Sequence, residues 1–222
     1  MKLGIIGSSG GAALTVATKC VQDAGLPLEL FVLTDRECGL ETWAHSNRHV
    51  SKRIDYRDID TFSQEAKSFF EEHDCSKVLL FYTRKVGYPL ISDLGVWNIH
   101  PALLPSFRGL HGVKDAISGG VTIFGGTLHE VDDQLDTGKI IAQIASARSP
   151  DLSIKTINRL SYLHKVLLFL IWYEMLAGKA NATAQTCIWQ GQFMLSSPGL
   201  TNPDLIAAYQ GLLNLTPLPD DR

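Results

Sequence analysis

Short apolar runs alternate with amphipathic stretches along the first two thirds of the chain. Residues 3–6 are apolar and break into Gly7-Ser8-Ser9-Gly10-Gly11, after which the alanine-rich stretch 12–24, stopped by Gly25, predicts a helix. Strand, glycine turn and helix in that order open a parallel α/β sheet. Residues 28–33 and 78–82 predict further buried strands, and residues 34–47, with no clear period, predict a loop with a helical turn. Phe62, Ala66, Phe69 and Phe70 fall on one face of a helix predicted over 61–72, with Asp60 as its N-cap. Residues 96–98, 121–131 and 139–144 predict three more strands. Beyond them Ile154, Ile157, Leu160, His164, Leu168, Ile171 and Met175, spaced by three and four, predict a long helix closed by Gly178. Residues 183–189 predict an edge strand. The tail from Gly191 is rich in Pro, Asn and Gly, with a short helical stretch over 203–213. The expected organisation is one catalytic domain over 1–190 and a C-terminal extension over 191–222.

Composition narrows the class. The 222 residues are 45% hydrophobic and 19% charged, enough apolar material for a packed core. A net charge of −3 lacks the basic footprint of a nucleic-acid binder and leaves small metabolites as the expected partners. The four cysteines, Cys20, Cys38, Cys75 and Cys187, form no CxxC pair, so isolated thiols in a reducing compartment are expected rather than disulfides or a metal site. The opening MKLGIIG is too short for the apolar centre of a signal peptide. The longest apolar run, 166–173, falls short of the ~20 residues needed to cross a bilayer, so a cytoplasmic protein without membrane contact is expected.

Three features carry candidate chemistry. The turn Ser8-Ser9-Gly10-Gly11 offers free backbone N–H groups at a helix start, which favours a phosphate, although glycines serve tight turns equally well. Asp35 follows the second strand, where a dinucleotide fold holds a ribose, but GSSGG is not GxGxxG. Asn98-Ile99-His100-Pro101 ends a strand, and alternation puts Asn98 and His100 on the same side, at the carboxyl edge where open sheets bind ligands. Residues 128–138 form an acidic loop between two strands, without the spacing of a calcium loop; no metal is required.

Together NIHPALLPSFRGLHG, GTLHEVDDQLDTG and the opening strand and turn resemble the formyltransferase superfamily, most nearly its glycinamide ribonucleotide transformylase branch. The resemblance covers residues 2–180 and implies a Rossmann-like α/β fold, a mostly parallel sheet with helices on both faces. It implies formyl transfer from 10-formyltetrahydrofolate, as co-substrate, to an amine acceptor that can carry a phosphate. Asn98, His100 and Asp136 match the family's catalytic positions: Asn98 and His100 would donate to the developing oxyanion, and Asp136 would orient the imidazole. Arg84, Lys85 and Val86 match one wall of the folate pocket and Asp132 and Asp133 the other, while Ser8, Ser9, Gly10 and Gly11 match the phosphate turn.

Three positions depart from the family pattern: Ala12 in place of an Asn, Phe81 in place of a Gly, and Leu163-His164 in place of a Glu-His pair that helps to hold the acceptor. The donor half of the site is therefore expected intact and the acceptor half altered. Transfer to another amine such as a nucleotide-linked amino sugar, hydrolysis of the same folate, a non-catalytic folate-binding paralogue and, from the glycine turn and Asp35 alone, a nucleotide-dependent oxidoreductase are the alternatives. Whether the chain forms a homodimer is open.

Overall fold

The computed structural model describes residues 1–149, 151–179 and 183–219. In chain order the elements are β1 (Lys2–Gly7), α1 (Ala12–Asp23), β2 (Glu29–Thr34), α2 (Gly39–Ser46), β3 (Val50–Arg53), α3 (Ile59–Glu71), β4 (Lys77–Phe81), α4 (Leu90–Asp93), β5 (Gly95–His100), α5 (Gly112–Ser118), β6 (Ile123–Glu130), β7 (Ile140–Ala147), α6 (Ile154–Leu176), β8 (Gln185–Trp189), β9 (Gln192–Ser197) and α7 (Pro203–Leu215). Among the described residues nine strands form one sheet in the order β3-β2-β1-β4-β5-β6-β7-β9-β8. β1 to β5 pair in parallel, and β6, β7, β9 and β8 continue the sheet antiparallel.

The parallel strands are apolar on both sides because both faces are covered. Leu3, Ile5, Val32 and Leu79 enter a core shared with α1 and α6, whereas Ile6, Leu33, Val78 and Leu80 enter a second core under α3. The α/β architecture expected from the chain is the one observed. α6 is buried nearly all round, consistent with its place between the sheet, α1 and α7. Among the described residues no helix is long and apolar enough to cross a membrane.

Several local expectations change. Residues 34–47 hold a full helix, α2, whose Glu41 is taken out of solvent by Arg53 in a paired 2.8 Å contact. The polar β3, reading VSKR, is an edge strand and so had no apolar alternation to display. The cap of α3 is Asp58, not Asp60. Asp58 has the extended backbone a cap requires, and its Oδ1 accepts from the Thr61 N–H at 2.8 Å. β8 is the edge strand expected over 183–189, but β9, within the expected extension, pairs between it and β7. α7 packs against α1 and α6. Residues 220–222 of the expected extension lie outside the described residues.

Candidate active site

β5 ends beside the middle of the sheet, and its last residues present Asn98 and His100 at the carboxyl edge. The loop that follows is pinned from β6. The Thr127 hydroxyl donates to the Ala102 carbonyl at 2.8 Å and accepts from the Leu104 N–H at 3.0 Å. Gln143 on β7 donates to the Leu104 carbonyl at 2.9 Å. A loop held at this many backbone groups fixes the side chains that border it.

His100 is buried, and its two ring nitrogens meet different partners. Nε2 lies 2.8 Å from the Phe107 carbonyl, which can only accept, so Nε2 carries a hydrogen and donates. Nδ1 lies 3.4 Å from Oδ2 of Asp136. The exchangeable proton of this imidazole therefore belongs to Nδ1. Gly112 packs so close that a Cβ there would stand 3.1 Å from Nε2.

Asp136 is 9% exposed and holds a left-handed backbone, φ 54°, which an Asp tolerates better than most residues. Its Oδ2 accepts from the Gly109 N–H at 2.8 Å, and its Oδ1 lies 3.6 Å from His129 Nε2. Burial by itself would push this carboxyl up. The His129 contact, the Gly109 N–H and the His100 imidazole outweigh it and hold the group below the usual carboxylate range. Asp136 is thus an anion at neutral pH, placed beside the ring of His100. Gly138 makes the turn possible, since a Cβ there would lie 1.8 Å from the Glu130 carbonyl.

His129 joins the constellation and was not among the residues expected from sequence. Its Nδ1 donates to the Glu130 carbonyl at 2.7 Å, and its Nε2 lies 3.1 Å from Asn98 Nδ2. Nε2 therefore stands between the Asn98 amide and the Asp136 carboxylate, and an N–H of that amide is left for another acceptor. The antiparallel register places His129 opposite Asn98, a pairing that no local pattern announces.

These groups border a cavity of about 690 Å³ at the carboxyl edge of the parallel strands. It is lined by Asn98, His100 and Asp136, by Arg84, Lys85 and Val86, by Asp132 and Asp133, and by Ser9, Gly10 and Gly11. Ser8 stands outside this lining, its hydroxyl 3.4 Å from that of Thr83. Gly11 caps α1 with φ 63° and no side-chain hydrogen bond, so the first N–H groups of the helix are uncapped. The Asp132 carboxylate accepts from the Thr137 hydroxyl at 2.7 Å and closes its own loop. Among the described residues no group of His, Cys, Asp and Glu could hold a metal ion.

Asp35 does not serve as a free ribose ligand. Arg36 donates to both of its oxygens at 2.9 and 2.8 Å, and Arg84 Nε lies 3.2 Å from Oδ2. Arg84 in turn lies over the Tyr56 ring, 4.7 Å from its centroid, so the guanidinium is fixed before any ligand arrives.

Of the three departing positions, Ala12 and Phe81 line the cavity. Leu163 does not. It is fully buried, and its carbonyl accepts from the Tyr209 hydroxyl of α7 at 3.1 Å. The expectation that Leu163 sits in the acceptor half is corrected by the rotation of α6, whose cavity face carries Tyr162 and Lys165. Their spacing of three was visible in the sequence, but the face that opens onto the cavity was not.

The formyl transferase family pattern matches residues 30–165. Phosphoribosylglycinamide formyltransferase of Bacillus subtilis is 35% identical over 133 residues, covering 53% of this chain and 67% of that protein. A trifunctional purine biosynthetic protein, adenosine-3, of Chironomus tentans is 30% identical over 64% of this chain but only 11% of its own length. Among solved structures, phosphoribosylglycinamide formyltransferase of Bacillus halodurans superposes with TM-score 0.75 at 28% identity, over 82% of this chain and 98% of that one. With the fold, the two motifs and the family pattern in agreement, the chain belongs to the formyl transferase family.

Proposed function

We propose that this chain transfers the formyl group of 10-formyltetrahydrofolate to the primary amine of a small acceptor, with glycinamide ribonucleotide as the first acceptor to test. The reading is carried by one observation: the Asn98 amide, the Nδ1 edge of His100 and the Asp136 carboxylate meet at one cavity. The cavity lies within the ~300–1,000 Å³ range of small-molecule sites, and the relatives' names supply the acceptor.

10-Formyltetrahydrofolate supplies the formyl carbon. Val86 and Val131, both packed on the α3-side core, form the apolar part of the wall proposed to take its ring system, and Arg84 and Lys85 flank it. As the amine attacks, negative charge grows on the formyl oxygen. The free Asn98 N–H and a proton on His100 Nδ1 are the donors for it, and each such donor is worth about 3–4 kcal/mol in comparable sites. Asp136 stabilises the charged imidazole and lies where a proton can be passed from the acceptor nitrogen to the departing folate nitrogen. The amine nitrogen bonds to the formyl carbon first and gives a tetrahedral oxyanion. Its collapse restores the carbonyl and breaks the bond to the protonated folate nitrogen, so no covalent bond to the enzyme is needed.

The test is turnover of 10-formyltetrahydrofolate, followed by tetrahydrofolate absorbance, against a panel of amines that includes glycinamide ribonucleotide. Amine-dependent turnover is expected. Turnover that needs no amine would instead make the protein a hydrolase.

A further inference from the structure

Residues 107–109, between β5 and α5, touch both His100 and Asp136. The Phe107 carbonyl accepts from His100 Nε2 at 2.8 Å. The Gly109 N–H donates at 2.8 Å to Asp136 Oδ2, the oxygen that faces His100 Nδ1 at 3.4 Å. His100 thus meets an acceptor at each ring nitrogen, one from this turn and one from a carboxylate that the same turn holds. Ala102 and Leu104, earlier in the loop, are tied to Thr127 of β6 and Gln143 of β7. The turn lies past those ties, and a further contact holds it.

Phe107 has a left-handed backbone, φ 54°. Glycine takes that conformation freely, whereas in a bulky residue the Cβ crowds the carbonyl oxygen. Strain of this kind persists only where the surroundings hold it. The half-buried Phe107 ring supplies the hold. It lies against Gly119 at the C-terminal end of α5, where a Cβ would stand 3.2 and 3.4 Å from two ring carbons. The bare Gly119 leaves the space into which the ring packs. Were residue 107 to relax to negative φ, its carbonyl would turn with it. Nε2 would then lose its acceptor in a ring that is only 2% exposed, which is costly for a buried donor.

We propose that Phe107 is a positioning residue for His100 and Asp136: its ring, seated on Gly119, holds a strained turn whose carbonyl and N–H groups fix both side chains. The inference rests on the formyl-transfer reading and adds the device that aims its imidazole. Such a residue acts on kcat, because misplacing His100 weakens transition-state stabilisation and leaves the folate wall untouched. The proposal also inverts the usual order of substitutions. Phe107→Ala removes the ring but keeps the Cβ that disfavours this backbone, whereas Phe107→Gly removes both. Glycine is therefore the milder change here, the reverse of a position where the side chain merely fills space.

The test measures kcat and the KM for 10-formyltetrahydrofolate in wild type, Phe107→Ala, Phe107→Gly and Gly119→Ala, with the acceptor that the amine panel identifies. The ring N–H resonance of His100 Nε2, observed by proton–nitrogen NMR on the free enzyme, reads the bond to Phe107 directly. Phe107→Ala is expected to lose about 10- to 100-fold in kcat with the folate KM within about twofold, and to lose the Nε2–H resonance. Phe107→Gly should lose about threefold in kcat and keep the resonance. Gly119→Ala presses on the ring and should lower kcat about twofold to fivefold. In the Phe107→Gly background, where no ring remains, the same substitution should cost nothing further in kcat. A loss in Phe107→Gly as large as in Phe107→Ala, an unchanged resonance in Phe107→Ala, or a loss confined to the folate KM would overturn the assignment. Should Phe107→Ala fail to fold, the Gly119→Ala pair decides, and equal losses with and without the ring reject the role. If wild type turns over no amine, the formyl-transfer reading fails instead, and the Nε2–H resonance still judges Phe107 by itself.

Discussion

Two buried histidines show how environment, rather than residue type, sets chemical use. His100 and His164 are 2% and 1% exposed. His164, on α6, bonds the Ser146 hydroxyl at 2.9 Å, packs 5.6 Å from the Phe124 ring, and leaves Nδ1 without a partner. Full burial, aided by the Lys165 charge, pushes its pKa down to about 3, so it is a neutral part of the core. His100 has the same ring, but Nδ1 faces a carboxylate at 3.4 Å and opens on the cavity. The sequence places His164 on the apolar face of a helix and His100 at the end of a strand, and in neither case does it show what the second ring nitrogen meets. Only the partners of their second nitrogen separate them.

The strongest way to break this contrast is to remove the carboxylate. Asp136→Asn keeps the left-handed turn, which Asn also tolerates, and removes the charge beside His100. Its kcat/KM should fall about 10³-fold with circular dichroism unchanged, and His100→Ala should fall comparably. Near-wild-type turnover in either variant would reduce that residue to packing.

His164 gives the complementary result in stability. Its folded pKa lies below its unfolded value near 6.5, so the unfolded chain binds the proton more readily as pH falls. The His164 contribution is present above about pH 6.5 and is lost, at roughly 1.4 kcal/mol per pH unit, as pH drops towards 3. The Asp136 contribution fades only lower, beneath the ordinary Asp value of about 3.9. Urea midpoints at pH 7, 6 and 5 should show this slope in wild type. His164→Leu should flatten it while costing about 1–3 kcal/mol at pH 7 for the stranded Ser146 hydroxyl. An unchanged slope would place the titration elsewhere.

A smaller effect tests the support of the site. Gly138→Ala places a methyl against the Glu130 carbonyl and must shift the Asp136 loop. We expect a loss of about 1–3 kcal/mol in stability together with a lower kcat at unchanged folate KM. Retained kcat would show that the loop absorbs the shift away from His100. Least disruptive is Arg84→Ala, because Arg36 still neutralises Asp35. It should raise the folate KM roughly tenfold and leave kcat nearly intact, and an unchanged KM would make Arg84 a structural partner of Asp35 alone.

The sequence by itself was informative wherever burial is periodic or a motif is contiguous. The strands at β1, β2 and β4 and the helices α1, α3 and α6 were legible because each buries a regular set of apolar side chains. The two motifs around Asn98 and Asp136 likewise stood out as runs of unusual residues. Tertiary structure alone decided what depends on neighbours distant in the chain. β3 and β9 are strands because of what they pair with, since an edge strand needs no apolar face and β9 mixes Phe193 and Leu195 with Met194 on opposite sides. α2 carries Glu41, which pairs with Arg53 of the distant β3, a contact that only the folded chain supplies. The placing of His129 beside Asn98, the turning of Leu163 into the core and the opening of Lys165 onto the cavity follow from strand register and helix rotation. Those are fixed by packing across the whole molecule, so no local stretch of sequence contains them.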